Sequence, residues 1–131
     1  MGLAVYLLGI ENQTQISRDP LRGHLVENII LLELMKWRLN QGLDPQCYFF
    51  RDIQQNEVDV IFKAGNNLIP IEIKSSKTFH PEFLQRLQFF QKIAKERVPK
   101  GFLIYAGDLE QQIDEVELLN YRHTTRLFQK L

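Results

Sequence analysis

The chain has 131 residues, which suits one domain spanning residues 1–131 and is too short for two of ordinary size. Sixteen Lys and Arg residues balance sixteen Asp and Glu residues, and this neutral charge argues against a protein that grips nucleic acid through a uniformly basic surface. The apolar runs are too short for a membrane span and the phosphate loop G-x-x-x-x-G-K is missing, so the sequence predicts no membrane contact and no ATP site.

The first part of the chain is predicted to contain one long helix. Residues 3–10 are apolar and fit either a short helix or a strand. Asp19 and Pro20 are typical of a helix start, because Asp caps the first N–H groups and the missing N–H of Pro does no harm there. The helix is expected over residues 21–39 and should end near Gly42.

One carboxylate lies in an unexpected position on this helix. On a helical wheel, Glu27 falls within the apolar stripe made by Gly23, Ile30, Leu31 and Leu34. A buried carboxylate is costly unless a metal, a cation or a proton compensates it. We therefore expect Glu27 to approach a functional site from the helix.

Three strands are predicted next. Residues 47–51 form the first, residues 56–63 the second and residues 68–74 the third, with a hairpin turn at 64–67 between the last two. The single cysteine, Cys47, lies in the first strand and has no partner for an internal disulfide. With no signal peptide at the start, this predicts a cytoplasmic protein.

Strand alternation groups three charged side chains. In the second strand it places the apolar residues on one face: Val58, Val60 and Phe62. Asp59 then lies on the other face, whereas Glu72 and Lys74, two residues apart, share a face of the third strand. If the two strands form a hairpin, Asp59, Glu72 and Lys74 meet on one surface. Two carboxylates and an amine there could hold a divalent metal and position a water molecule.

The second half completes an α/β pattern. Pro81 opens a helix that ends before Pro99, residues 101–106 form a buried strand, and residues 116–121 fit a further strand. The order helix, three strands, helix, strand predicts an α/β fold with a mixed sheet flanked by helices.

These positions resemble the PD-(D/E)XK nuclease-like superfamily, whose restriction-endonuclease-like core has the order αβββαβ. The matching residues are Glu27 on the first helix, Asp59 on the second strand, and Glu72 and Lys74 on the third. Val58 replaces the proline of the motif's name. The resemblance implies that Asp59, Glu72 and Glu27 bind Mg²⁺ or Mn²⁺, and that Lys74 orients or activates the attacking water.

A closer resemblance is to the C-terminal domain of unknown function that follows the AAA+ module in prokaryotic ATP-binding proteins. The matching segments, in chain order, are residues 2–9, 22–28, 50–52, 57–59 and 69–76. The resemblance implies a C-terminal fragment of a longer ATPase, whose N-terminal AAA+ domain would be an absent partner.

Three functions stay open at this point. The first is a divalent-metal-dependent nuclease acting on DNA phosphodiesters, which as an isolated chain should bind the metal weakly and cleave poorly or not at all. The second is a catalytically silent binding or regulatory module of the ATPase. The third is an antitoxin-like interaction domain with vestigial acidic residues. From the residues alone, a solvated ion pair between Glu72 and Lys74 is the commoner arrangement.

Other charged residues favour ordinary structural roles. Glu57 is expected to be exposed or to pair with Arg51. Five basic residues are expected to form a solvated helix face rather than a DNA-binding rim: Lys77, Arg86, Lys92, Lys95 and Arg97.

Overall fold

A computed structural model describes residues 20–131, so the element expected at residues 3–10 and the cap expected at Asp19 lie outside the described residues. The helices are α1 (Arg22–Asn40), α2 (Gln85–Ala94) and α3 (Arg126–Gln129). The strands are β1 (Cys47–Arg51), β2 (Glu57–Ala64), β3 (Asn67–Lys74), β4 (Gly101–Tyr105), β5 (Gln112–Ile113) and β6 (Val116–Asn120). The predicted order αβββαβ is confirmed. None of the helices in residues 20–131 is both long and apolar enough to cross a membrane.

The first helix closely follows its predicted bounds. It begins at Arg22, one residue later than expected, and ends at Asn40. Gly42 has a φ of 71° and donates its N–H to the carbonyl of Leu39. Because glycine tolerates a positive φ that other residues resist, it closes the helix where the sequence predicts.

All six strands form one mixed sheet, in the order β1-β2-β3-β4-β6-β5. Strands β1, β2 and β3 are antiparallel neighbours, whereas β3, β4 and β6 run parallel. The short strand β5, which the sequence did not predict, pairs antiparallel with β6 at the sheet edge. The mixed sheet flanked by helices is confirmed, and the parallel strands bring three carboxyl ends to one edge.

Both faces of the sheet are covered by apolar packing. On one face, Ile30 and Leu34 of α1 pack with Ile71 and other side chains of the sheet. On the opposite face, Leu87 and Phe90 of α2 do the same. The middle strands are therefore buried on both sides, which explains their nearly continuous apolar sequences.

The predicted alternation along β2 is wrong at one residue. Val60 packs on the α1 side, whereas Val58 packs on the α2 side, although two-residue spacing should place them on one face. The register explains the change, because Tyr48 pairs with Ile61 and Phe50 with Val58. Strand β2 thus contains one more residue than β1 over this stretch. This β-bulge includes Asp59, and bulges commonly re-aim side chains beside functional sites.

Candidate functional site

The centre of the candidate site is the carboxylate of Glu72 in the middle strand β3. Its neighbours Ile71 and Ile73 pack on the α1 side of the sheet. Glu72 projects to the other side, where helix α2 lies, and it is 0% exposed. The sequence predicted that Glu72 and Lys74 share a face, but not that α2 buries the carboxylate.

Two cations contact the same oxygen of Glu72. The ammonium of Lys74 lies 3.0 Å from Oε1, and the guanidinium of Arg86 lies 3.4 Å from it. The other oxygen, Oε2, is buried and has no hydrogen-bond partner among the described residues. Burial, together with the nearby charge of Asp59, raises the pKa of Glu72 to about 7 despite both cations.

Asp59 reaches across from β2 to β3. Its Oδ2 accepts a hydrogen bond of 2.8 Å from the backbone N–H of Ile73. The last residues paired between the two strands are Val60 and Ile71, so this carboxylate continues the connection beyond the backbone pairing. Burial raises the pKa of Asp59, even though the Ile73 N–H and Lys74 favour its ionised form. The charge of Lys74 thus acts on both Asp59 and Glu72, and the charge of Asp59 acts on Glu72.

Arg86 is a site residue that the sequence analysis missed. It was expected on a solvated helix face, yet besides Glu72 it contacts Glu57, at 3.6 Å. Glu57 was expected to be exposed or to pair with Arg51, and the structure pairs it with Arg86 instead. Lys92 and Lys95 are exposed, as expected. Arg86 lies between Leu84 and Leu87, which are both buried. A basic residue between two buried positions was the available signal that its side chain could reach the sheet.

An opening beside the carboxylate leads to solvent. A cavity of about 260 Å³ is lined by Glu72, Lys74, Glu82, Phe83, Gln85 and Arg86. The Lys74 ammonium also lies 5.7 Å from the ring centroid of Phe83, within cation–π range. The ring and the carboxylate together fix the position of the amine at this opening.

Glu27 lies on α1, close enough for the charge of Asp59 to act on it. Its side chain is 40% exposed and lies 3.8 Å from His24, so it is half-buried rather than turned into the core. Burial and then the charge of Asp59 raise its pKa, whereas His24 and Lys74 lower it. The structure therefore places Glu27 near Asp59 but gives no direct contact between them. Its predicted metal-binding role stays a prediction.

Residues 22–123 match the model of a protein family described as Domain of unknown function (DUF4143). The chain belongs to the DUF4143 family. No curated protein matches it. The matched region runs from the start of α1 to the turn after β6, so this DUF4143 domain contains the whole site. The family description names no activity, and the attached AAA+ ATPase stays a prediction.

The donor set of this DUF4143 site is small for a metal. Within residues 20–131 there is no group of three or more His, Cys, Asp and Glu side chains that could hold a metal ion. Two carboxylates are nevertheless present, and Oε2 of Glu72 has no hydrogen-bond partner in the described part of the chain. Mg²⁺ is commonly held by one or two carboxylates, with waters and substrate phosphates completing its shell. Asp59 and Glu72 fit such a partial site.

Proposed function

We propose that this DUF4143 domain is a nuclease-like module in which Asp59 and Glu72 bind Mg²⁺ or Mn²⁺ and the substrate is a DNA phosphodiester. The observation that carries the proposal is the fully buried carboxylate of Glu72, whose Oε2 has no partner among the described residues. A second carboxylate, Asp59, raises its pKa further.

Electrostatics support a cation at this position. A buried polar atom without a hydrogen bond is unfavourable, and two neighbouring carboxylates disfavour each other's ionised forms. A hard cation between Asp59 and Glu72 would relieve both effects, because it takes oxygen ligands. The backbone carbonyl of Ile73 is a further candidate ligand by its place in the chain. Glu27, half-buried and close enough to feel Asp59, is a candidate for a more distant, water-mediated contact.

Lys74 is the residue best placed for a role in the reaction. Its ammonium lines the cavity beside Glu72, held by the carboxylate and by the ring of Phe83. From there it can orient a water molecule or offset negative charge on a phosphate. A bound cation would add Lewis-acid stabilisation of phosphate charge and would acidify its own water.

A second candidate function is a catalytically silent regulatory module, attached to an AAA+ ATPase. One observation favours it: Lys74 and Arg86 already compensate the charge on Oε1 of Glu72 without any metal. In that case the buried ion cluster serves to fix the geometry of β3 and α2. The two functions differ in whether Oε2 has a cation as its ligand.

Metal binding is the first test. Mn²⁺ titrated into the complete 131-residue chain should lose its free-ion electron paramagnetic resonance signal as it binds. Asp59→Asn and Glu72→Gln should weaken binding on the order of tenfold or more, since each removes a charged oxygen ligand. Glu33→Gln is the matched control, because Glu33 forms an exposed ion pair with Lys36 on α1. Equal binding by wild type and Glu72→Gln would favour the silent module.

Cleavage is the second test, and it needs substrate in excess. A fluorescent DNA substrate is incubated with the chain and Mn²⁺. The reaction is repeated after adding ATP and the AAA+ ATPase domain that is proposed as the partner. Activity should require Mn²⁺ and be abolished by Glu72→Gln and Lys74→Ala. The control variants Glu33→Gln and Lys36→Ala alter a matched but exposed pair and should cleave normally. Cleavage that survives both site substitutions would exclude this site as the catalytic centre.

A further inference from the structure

A larger groove lies at the carboxyl ends of the parallel strands. It has a volume of about 600 Å³ and combines α1 with the segments that follow β3, β4 and β6. The crevice beyond the carboxyl ends of parallel strands is a common ligand-binding position in α/β folds. Its volume falls within the range of pockets for small ligands, roughly 300–1,000 Å³.

The groove is locally basic although the chain is neutral. Arg22, Lys77 and Arg122 line it, against one carboxylate, Asp108. None of these three cations forms an ion pair with another of the residues 20–131. By contrast, Lys74 and Arg86 both form ion pairs with Glu72. Cations that have no ion pair within the described part of the chain and that line a concave surface attract an anionic ligand.

The floor of the groove is held in one conformation. The buried amide of Asn120 donates a 2.7 Å hydrogen bond to the carbonyl of Gly107, which joins the segments after β4 and β6. Its Oδ1 accepts from the backbone N–H of Arg122. A Cβ atom on Gly107 would lie 2.5 Å from the carbonyl of Lys77. The backbones that carry two of the cations are therefore fixed close together.

The walls of the groove are partly apolar. Val26 and Ile29 of α1 line one side, and Ile29 is 43% exposed. Tyr121, 41% exposed, lines the other, and the guanidinium of Arg122 lies 5.7 Å from its ring centroid. A ring of this kind is suited to stacking with a base, and arginine planes do the same. The ligand should thus combine phosphate groups with a flat apolar body.

Two short stretches of chain connect the groove with the site of Asp59 and Glu72. Val26 lines the groove, while its neighbour Glu27 feels the charge of Asp59. Lys74 contacts Glu72, Lys77 lines the groove, and three residues of extended chain span at most about 11 Å. A strand of nucleic acid that contacts both would pass around this edge of the sheet, from the α1 side, where the groove lies, to the α2 side, where Glu72 lies.

We propose that the groove binds single-stranded DNA, with phosphates on Arg22, Lys77 and Arg122 and a base against Tyr121. This inference rests on the proposed function for its choice of ligand, and it assigns the position of the strand that flanks the scissile phosphate. A duplex keeps its bases stacked inside, whereas a single strand can turn one base into a pocket of this size.

The test measures binding without cleavage. Fluorescence anisotropy of a labelled single-stranded oligonucleotide is followed with the complete chain in EDTA at several salt concentrations. Three phosphate contacts predict a slope of log K against log salt of about −2, because each contributes about −0.7 on a single strand. Lys77→Gln and Arg122→Gln should each make the slope shallower by about 0.7. Tyr121→Ala should weaken binding without changing the slope.

Matched controls separate this proposal from the nuclease-like one. Lys92→Gln removes an exposed cation of α2 outside the groove and should leave both the affinity and the slope unchanged. Glu72→Gln should keep DNA binding even where metal binding is lost. An equal loss in Lys92→Gln, or full competition by poly-glutamate, would overturn the groove as a DNA site. If the chain binds single-stranded DNA but does not bind Mn²⁺, only the proposed catalysis is overturned.

Discussion

The carboxylate of Asp59 accepts a hydrogen bond of 2.8 Å from the backbone N–H of Ile73, just beyond the last backbone pair between β2 and β3. The side chain of Asp59 thus provides a hydrogen-bond acceptor where a longer strand would provide a backbone carbonyl. As a result, Asp59 is held beside the strand that carries Glu72, whose pKa it raises. Strand pairing and the electrostatics of the site therefore depend on one residue.

The buried carboxylate should make folding stability depend on pH. The pKa of Glu72 is about 7 in the folded chain and 4.5 as its ordinary value, so between these values the folded state binds more protons. The stability contribution is fully present below pH 4.5 and is lost as the pH rises through 7. The loss should reach about 3 kcal/mol, at roughly 1.4 kcal/mol per pKa unit.

Urea unfolding at pH 5 and pH 8 in EDTA checks this prediction. Glu72→Gln cannot ionise and should show a smaller decrease in stability across this range than wild type. Glu33→Gln, in an exposed pair, should behave like wild type. An equal pH dependence in wild type and Glu72→Gln would mean that Glu72 is already ionised at low pH.

Arg86 should stabilise the fold more at high pH than at low pH. It contacts Glu72 and Glu57, and its removal leaves a buried carboxylate with one cation fewer. Arg86→Ala should lower the free energy of unfolding at pH 8 by about 1.5–3 kcal/mol, the usual range for hydrogen bonds to charged groups. At pH 5, where Glu72 is largely protonated, the loss should be smaller.

Arg51→Ala is the control for the Arg86 prediction, measured by the same urea titrations. Arg51 is exposed on β1 and forms no ion pair within the described part of the chain. Its replacement should change stability little at either pH. If Arg51→Ala destabilises as much as Arg86→Ala, the partner of Glu57 in solution is Arg51, as the sequence first indicated.

Much of the architecture was predictable because it depends on local patterns. The period of apolar residues marked α1 and α2, and turn residues separated β2 from β3. What the sequence could not provide was non-local. The bulge at Asp59 arises from a mismatch in length with β1, and the two-residue strand β5 exists only because β6 pairs with it.

The proximity of Glu72 and Lys74 was predictable from the sequence, whereas the contact with Arg86 and the burial of Glu72 were not. Alternation predicted that Glu72 and Lys74 share a face, and they lie 3.0 Å apart. The same alternation treated that face as solvated, because nothing in β3 itself reveals that α2 packs over it. Arg86 belongs to α2, fourteen residues or more from the strand residues that it contacts. Leu84 and Leu87 indicate that α2 packs on the sheet, but their spacing does not specify which strand residues Arg86 then contacts.

The packing of α1 against the sheet gives a stability prediction free of charge effects. Leu34 is 0% exposed and belongs to the apolar cluster with Ile71 and Phe62. Leu34→Ala should lower the free energy of unfolding by roughly 2–5 kcal/mol, since it loses buried apolar area and leaves a cavity. Leu39→Ala is the control, because Leu39 lies on the same helix but is 56% exposed. Chemical denaturation at one pH should separate them clearly, and similar losses would contradict the docking of α1.

Gly107 should tolerate no side chain, for reasons of space. A Cβ atom there would lie 2.3 Å from the ring of Tyr105 and 2.5 Å from the carbonyl of Lys77. The ring has little freedom to move, because it is 0% exposed and its hydroxyl donates to the carbonyl of Leu109. Gly107→Ala should therefore cost about 1–3 kcal/mol of stability, as overpacked substitutions do.

Gly23→Ala is the matched comparison for Gly107→Ala. Gly23 lies in α1, where no atom of residues 20–131 comes within 4 Å of an added Cβ, and alanine there should stabilise the helix by up to about 1 kcal/mol. Urea unfolding should thus move in opposite directions for the two substitutions. In anisotropy titrations, Gly107→Ala should also weaken binding of single-stranded DNA, because the shift must displace the backbone of Lys77 or the ring packed under the groove. A Gly107→Ala chain as stable as wild type would show that the segments after β3 and β4 are not held together as closely as the structure indicates.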